Sequence, residues 1–183
     1  MNSAASSRRG FCVALVGFMG AGKTTVGKVL AQRLGWSFRD LDEMIEAREQ
    51  KSVVAIFAAV GEENFREIES AVLDELLAST SGDSVVALGG GTFVQPRNRI
   101  ALQQAGAFTV WLQAPLDELK RRCKVDGVTR PLALDESSLD QLFEARREAY
   151  SLARFRVDTS GKSTEEVARE IGNLVHAFEP EVK

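Results

Sequence analysis

Gly17-Phe18-Met19-Gly20-Ala21-Gly22-Lys23-Thr24 fits the spacing G-x-x-x-x-G-K-[ST] at every fixed position. Before it, Cys12-Val13-Ala14-Leu15-Val16 is a continuous apolar run suited to a strand buried on both faces. After it, Val26, Val29, Leu30 and Leu34 recur at helical spacing. The octapeptide therefore links a strand to a helix, the setting in which this pattern cradles phosphate. Glycines let backbone N–H groups converge on an anion with no Cβ in the way. The positive end of the following helix faces the same point. Lys23 is expected to reach the β- and γ-phosphates, and the Thr24 hydroxyl to ligate Mg²⁺. The alternative is a Gly-rich strand-to-helix turn with a surface lysine; the match at every fixed position in this context favours the phosphate loop. The segment predicts a nucleoside triphosphate site and leaves the phosphate acceptor to be found elsewhere.

Composition narrows the class. With 183 residues, 44% of them hydrophobic, the chain has material for one ordinary core and a single domain over 11–183. A net charge of −3 argues against nucleic acid or a membrane surface as the main partner. Cys12 and Cys123 lie far apart and make no disulfide framework, in keeping with a reducing cytoplasm. Residues 1–10 hold Ser3, Ser6, Ser7, Arg8 and Arg9 without an apolar segment; they read as a flexible tail, not a secretory signal. No stretch is long enough to span a bilayer. His176 is the single histidine, which sets aside a Ser-His-Asp triad or a histidine metal cluster.

Along the chain, strand candidates at 12–16, 36–39, 84–88, 108–112 and 155–158 alternate with helical patterns. The helices fall at about 22–34, 41–50, 52–59, 62–79, 96–105, 115–124, 138–153 and 163–178. This alternation predicts an α/β fold with a mostly parallel sheet and right-handed crossovers. Ligands in such sheets sit beyond the carboxyl ends of the strands. Four candidate ends carry suggestive residues: the loop at 17–24, Asp40 with Asp42, Gly89-Gly90-Gly91, and Thr159 to Lys162. The polar stretch from Lys124 to Glu136, with Pro131 driving Arg130 out of helical geometry, is either a connector or a mobile lid over about 123–136.

Three further signals accompany the loop. Asp40 and Asp42, at i and i+2 beside a helix start, suit either an N-cap or a pair serving Mg²⁺ and a substrate hydroxyl. On the 62–79 helix, Phe65, Ile68, Val72, Leu73 and Leu76 form the inward stripe; Arg66 lies on its flank and Glu69 within it. A carboxylate on that side calls for a basic partner. On the 138–153 helix, Arg146 falls on the apolar face, while Arg147 is rotated about 100° toward solvent. An inward arginine needs an anion, which is either Glu69 in a structural ion pair or a bound carboxylate.

In order and spacing these stretches resemble the shikimate kinase family over about residues 12–175. The resemblance rests on Gly17-x-Met19-Gly20, Asp40-x-Asp42 with Ile45-Glu46, Gly61-Glu62-x-x-Phe65-Arg66-x-x-Glu69, Gly89-Gly90-Gly91, Arg130-Pro131-Leu132 and Arg146-x-x-x-Tyr150. It implies a three-layer P-loop kinase fold, with a central five-stranded parallel sheet flanked by helices and a shikimate-binding segment at about 41–70. Gly20, Ala21, Gly22, Lys23, Thr24 and Thr25 would hold the nucleotide phosphates, with Arg122, or its neighbour Arg121, stacked on adenine. Asp40 would join Thr24 around Mg²⁺. Asp42 would bind the ring hydroxyls and orient or take the proton of the 3-hydroxyl. Arg66 and Arg146 would clamp the shikimate carboxylate, and Gly89, Gly90 and Gly91 would offer backbone N–H groups. Arg130 would close over both substrates and meet the transferring phosphate, making Lys23, Asp42 and Arg130 the catalytic set.

What the resemblance implies is Mg²⁺-dependent transfer of the ATP γ-phosphate to the 3-hydroxyl of shikimate by a cytoplasmic monomer. Two other readings are a kinase of the same fold acting on gluconate or a nucleoside monophosphate, and a non-catalytic nucleotide-binding module. The first would want a different acceptor arrangement from Asp42, Arg66 and Arg146; the second predicts missing catalytic residues.

Overall fold

A computed structural model describes residues 10–79, 82–125 and 136–178. Of the expected tail only Gly10 is included, and Arg130, with the rest of 126–135, lies outside the described residues. The elements run β1 (Cys12–Val16), α1 (Lys23–Leu34), β2 (Ser37–Asp40), α2 (Leu41–Glu49), α3 (Val53–Ser79), β3 (Ser84–Ala87), a 3₁₀ turn at Thr92–Val94, α4 (Pro96–Gln104), β4 (Phe108–Gln113), α5 (Leu116–Val125), α6 (Glu136–Tyr150), β5 (Phe155–Asp158) and α7 (Thr164–Phe178).

The strands form one five-stranded sheet in the order β2-β3-β1-β4-β5, and every pairing is parallel. Position in that order explains composition. The central β1 is buried at all five residues, as is β3 at all four, whereas edge strands β2 and β5 keep exposed positions at Ser37, Arg39, Arg156 and Asp158. A strand covered on both faces must be apolar throughout; an edge strand gains from charge that discourages further pairing. Helices flank the sheet, with α1 packed on α7 in one group and α2, α3 and α4 in another. The α3 span contains two helices meeting at Gly61, whose φ of 78° and ψ of 174° break the helical path. This matches the separation expected between 52–59 and 62–79. Helix α6 begins two residues earlier than the periodicity suggested, at Glu136, because its apolar stripe starts only at Leu139.

No helix among the described residues is long and apolar enough to cross a membrane. With all strands parallel, their carboxyl ends share one edge, and there β1 delivers the Gly17–Gly22 loop, β2 the Asp40 and Asp42 pair, β3 the glycine triplet and β5 Thr159.

Candidate functional site

The loop after β1 is shaped for close approach. Gly22 caps α1 in a left-handed conformation with φ 82°, and Gly20 has φ 75°. A Cβ on Gly20 would also stand 2.6 Å from the Leu119 carbonyl oxygen of α5, so both backbone and space demand glycine there. Lys23 is buried, and its Nζ donates to the carbonyls of Gly17 at 2.9 Å and Phe18 at 3.1 Å. The ammonium thus lies folded along the loop that α1 opens.

Asp40 satisfies both of its sequence readings at once. One carboxylate oxygen accepts from the Asp42 N–H at 3.0 Å and caps α2; the other accepts from the Thr24 hydroxyl at 2.7 Å. A hydroxyl and a carboxylate side by side at the mouth of a phosphate loop are oxygen donors of the hard kind that Mg²⁺ takes. Among the described residues no three His, Cys, Asp or Glu side chains gather into a metal cage. That donor set fits an ion held jointly by one or two protein oxygens, substrate phosphates and water.

A groove beside the loop is lined by Gly20, Ala21, Gly22, Thr25 and Val26 on one side and by Arg121, Arg122, Thr159, Lys162 and Thr164 on the other. The two arginines differ in how they are held. Arg122 donates to the Thr159 hydroxyl at 3.0 Å, the Thr159 carbonyl at 2.9 Å and the Glu118 carboxylate at 2.6 Å. Arg121 has a side chain 75% exposed and only a 3.7 Å approach to the same Glu118. Of the two, Arg122 presents a fixed guanidinium to the groove.

A second cavity lies against the same loop, walled by Met19, Val53, Phe57 and Phe65 and floored by polar groups: Asp42, Arg66, Glu69, Arg146 and the glycine triplet. Glu69, 1% exposed, takes its cation from its own helix, since Arg66 Nη1 donates to it at 3.0 Å across an i,i+3 step. Its other oxygen accepts from the buried Thr92 hydroxyl at 2.6 Å. Arg66 also donates to Glu62 at 3.2 Å and stacks over the Phe65 ring. Burial alone would lower the Arg66 pKa, but Glu69 and Glu62 together hold it above its usual value. Arg66 Nε is buried and has no hydrogen-bond partner among the described residues.

Arg146 is buried on α6, as its place on the apolar stripe required, and its Nη1 lies against Gly90, the turn whose carbonyl accepts from the Tyr150 hydroxyl. Glu69 is therefore satisfied by Arg66 and Thr92, while Arg146 stands beside Tyr150 in the same cavity. Arg147 is 59% exposed and pairs on the surface with Glu144 at 3.0 Å.

The glycine triplet is glycine because these side chains leave it no room. A Cβ on Gly89 would stand 2.8 Å from both Asp42 Oδ1 and Glu69 Oε1; one on Gly90 would come 3.3 Å from Arg146 Nη1; one on Gly91 would collide with the Arg66 guanidinium. Asp42, Arg66 and Arg146 thus converge on one short turn from three helices. The structure adds Thr92, Glu118 and Phe57, which the sequence reading did not single out, and gives contacts to Tyr150 and Thr159, which it quoted without a role. Tyr150 and Thr92 bind the floor of the cavity, Thr159 and Glu118 hold Arg122, and Phe57 closes the apolar wall. An apolar Val53 and Phe57 at i,i+4 was a visible signal for that wall; the Tyr150 and Thr159 contacts cross long stretches of sequence and had none.

A nucleotide groove and a charged, half-apolar cavity flanking one phosphate loop make a site for passing a phosphoryl group to a small anionic acceptor. Comparison with known proteins gives that arrangement a family. Residues 19–176 match the family model described as shikimate kinase. The chain is 46% identical over 168 residues to the shikimate kinase of Geobacter sulfurreducens, covering 89% of this chain and 90% of that protein. It is 39% identical to the shikimate kinase of Persephonella marina, covering 86% and 94% of the two chains. Its fold superposes with a TM-score of 0.83 on the shikimate kinase of Acinetobacter baumannii in complex with shikimate, at 32% identity over 95% of this chain and 96% of that one. The chain belongs to the shikimate kinase family.

Proposed function

We propose that this enzyme transfers the γ-phosphoryl group of ATP to the 3-hydroxyl of shikimate, giving ADP and shikimate 3-phosphate for aromatic amino acid biosynthesis. The observation that carries this reading is the convergence of Asp42, Arg66 and Arg146 on the glycine turn beside the phosphate loop. A small polyhydroxylated carboxylate needs forked cationic donors at one end and an acceptor for its hydroxyls at the other. Arg66 and Arg146 would supply the first, and Asp42 the second.

In this mechanism Gly20, Ala21, Gly22, Thr24 and Thr25 hold the nucleotide phosphates while Arg122 packs on the base. The acceptor lies in the cavity with its carboxylate on Arg66 and Arg146, its ring against Met19, Phe57 and Phe65, and backbone N–H groups of Gly89, Gly90 and Gly91 beside it. The 3-hydroxyl oxygen forms its bond to the γ-phosphorus as the bond to the β–γ bridging oxygen breaks. Asp42 receives the hydroxyl proton, and ADP leaves with the electron pair. The transition state spreads negative charge over the moving group, so fixed positive charge and alignment matter more than a strong base. Lys23 turns from the loop carbonyls toward the β- and γ-phosphates to supply that charge. Arg130 is assigned to the same group on the family resemblance. Thr24 and Asp40 would hold Mg²⁺, whose chemistry when bound is to offset phosphate charge. Monomeric state is assigned on the family resemblance, and a cytoplasmic location on cysteine usage.

ADP release from Mg·ATP should require shikimate and should not be supported by gluconate, a nucleoside monophosphate or water alone. Turnover with another acceptor would overturn the roles of Asp42, Arg66 and Arg146, and nucleotide binding without turnover on any acceptor would favour a non-catalytic module.

A further inference from the structure

The two arginines of the acceptor cavity rest on different supports. Arg66 is held by a carboxylate, Glu69, which offsets much of its charge. Arg146 instead shares the Gly90 turn with a phenol one helical turn later on α6, Tyr150: a Cβ on Gly90 would stand 3.3 Å from Arg146 Nη1 and 3.9 Å from the Tyr150 hydroxyl. Tyr150 is 1% exposed, and its hydroxyl donates to the Gly90 carbonyl oxygen at 2.5 Å, joining segments 60 residues apart. A phenol donates one hydrogen bond and accepts others, so it can face the Gly90 carbonyl and the Arg146 guanidinium together. Burial pushes the Tyr150 hydroxyl up to about 12, which keeps it neutral. Arg146 is thereby oriented without losing its charge, as suits a cation that must attract a carboxylate.

We propose that Tyr150 is a positioning residue for the acceptor: its hydroxyl locks the Arg146 guanidinium and the Gly90 peptide into one unit, so that the carboxylate contact and the glycine turn are in register before the acceptor arrives. This rests on the shikimate reading above. In Tyr150→Phe the ring still fills its space, but the hydroxyl beside Arg146 is gone and the Gly90 carbonyl loses its bond to it. The shikimate KM should rise about tenfold, the scale of one lost hydrogen bond to a charged group. The ATP KM should stay nearly unchanged. A merely structural role would lower the melting temperature and leave both KM values alone.

Tyr150 is also the single tyrosine of the chain, so biosynthetic 3-fluorotyrosine places one fluorine here and nowhere else, with the hydroxyl retained. The ¹⁹F resonance should shift or broaden as shikimate is titrated into the full-length enzyme, saturating near the shikimate KM. A resonance unmoved by saturating shikimate overturns the proposal, and this readout decides the matter even where Tyr150→Phe does not fold. If the wild type turns over shikimate and Tyr150→Phe does so with an unaltered KM, this inference alone fails. If the wild type neither binds nor phosphorylates shikimate, the functional reading fails with it.

Discussion

Asp40 divides two duties between two oxygens, one capping α2 through the Asp42 N–H and one facing the Thr24 hydroxyl. Substitution can separate them. Asparagine caps a helix about as well as aspartate, whereas alanine loses about 1 kcal/mol. Asp40→Asn should therefore keep its melting temperature while its turnover drops and its Mg²⁺ requirement rises; Asp40→Ala should lose both. An Asp40→Asn enzyme with normal Mg²⁺ dependence would leave this residue a cap alone. Arg146 gives a second test. Removing one partner of a buried charged contact costs at least about 2 kcal/mol, so Arg146→Ala should raise the shikimate KM roughly 30-fold or more with the ATP KM nearly intact. Steady-state kinetics on both substrates checks this, and an unchanged shikimate KM would remove Arg146 from the clamp. Residue-level legibility was uneven. That Arg146 points inward followed from the α6 stripe, and Tyr150 one turn on was quoted with it, yet the Tyr150 bond to the Gly90 carbonyl depends on tertiary packing. The Arg66–Glu69 pair was open to reading, since i,i+3 residues adjoin on a helix, but Glu69 was equally compatible with Arg146.

Among the elements, the turn after β3 shows how a glycine run encodes its neighbours. Gly91 has φ −99° and ψ −17°, a backbone open to any residue, so a Gly91→Ala chain should fold and melt close to the wild type. Its methyl group would nevertheless meet the Arg66 guanidinium. An ångström-scale displacement of Arg66 should lower kcat/KM for shikimate by about ten- to hundredfold, while binding of a nucleotide alone is unaffected. Thermal melts and nucleotide titration together check the prediction; a cold-labile or nucleotide-deaf variant would mean the triplet serves the fold instead. The glycines themselves were plain in the sequence. The reason for them was not, because three helices distant in sequence supply the crowding side chains. Strands and helices were more readable: continuous apolar runs marked the central strands, mixed polarity the edges, and Gly61 the break within α3.

For the molecule as a whole, parallel topology gathers all four candidate strand ends on one edge, which is why loops separated in sequence could be read as one site. The order of motifs was enough to give the fold and family, since each motif occupies a fixed station in the β–α alternation. The family resemblance already separated two sets of residues; that they line a groove and a cavity on either side of one loop depends on which side each helix packs, which the sequence does not show. The proposed reaction is one transfer, from ATP to a hydroxyl that Asp42 would hold while Arg66 and Arg146 take the carboxylate. Incubating the enzyme with Mg·ATP and shikimate and reading the product by ³¹P and ¹H NMR tests it most directly. One new phosphate monoester should form in step with ADP, its phosphorus coupled to the proton on C3. A phosphate on another hydroxyl, or ADP formed with no phosphorylated shikimate, would contradict it.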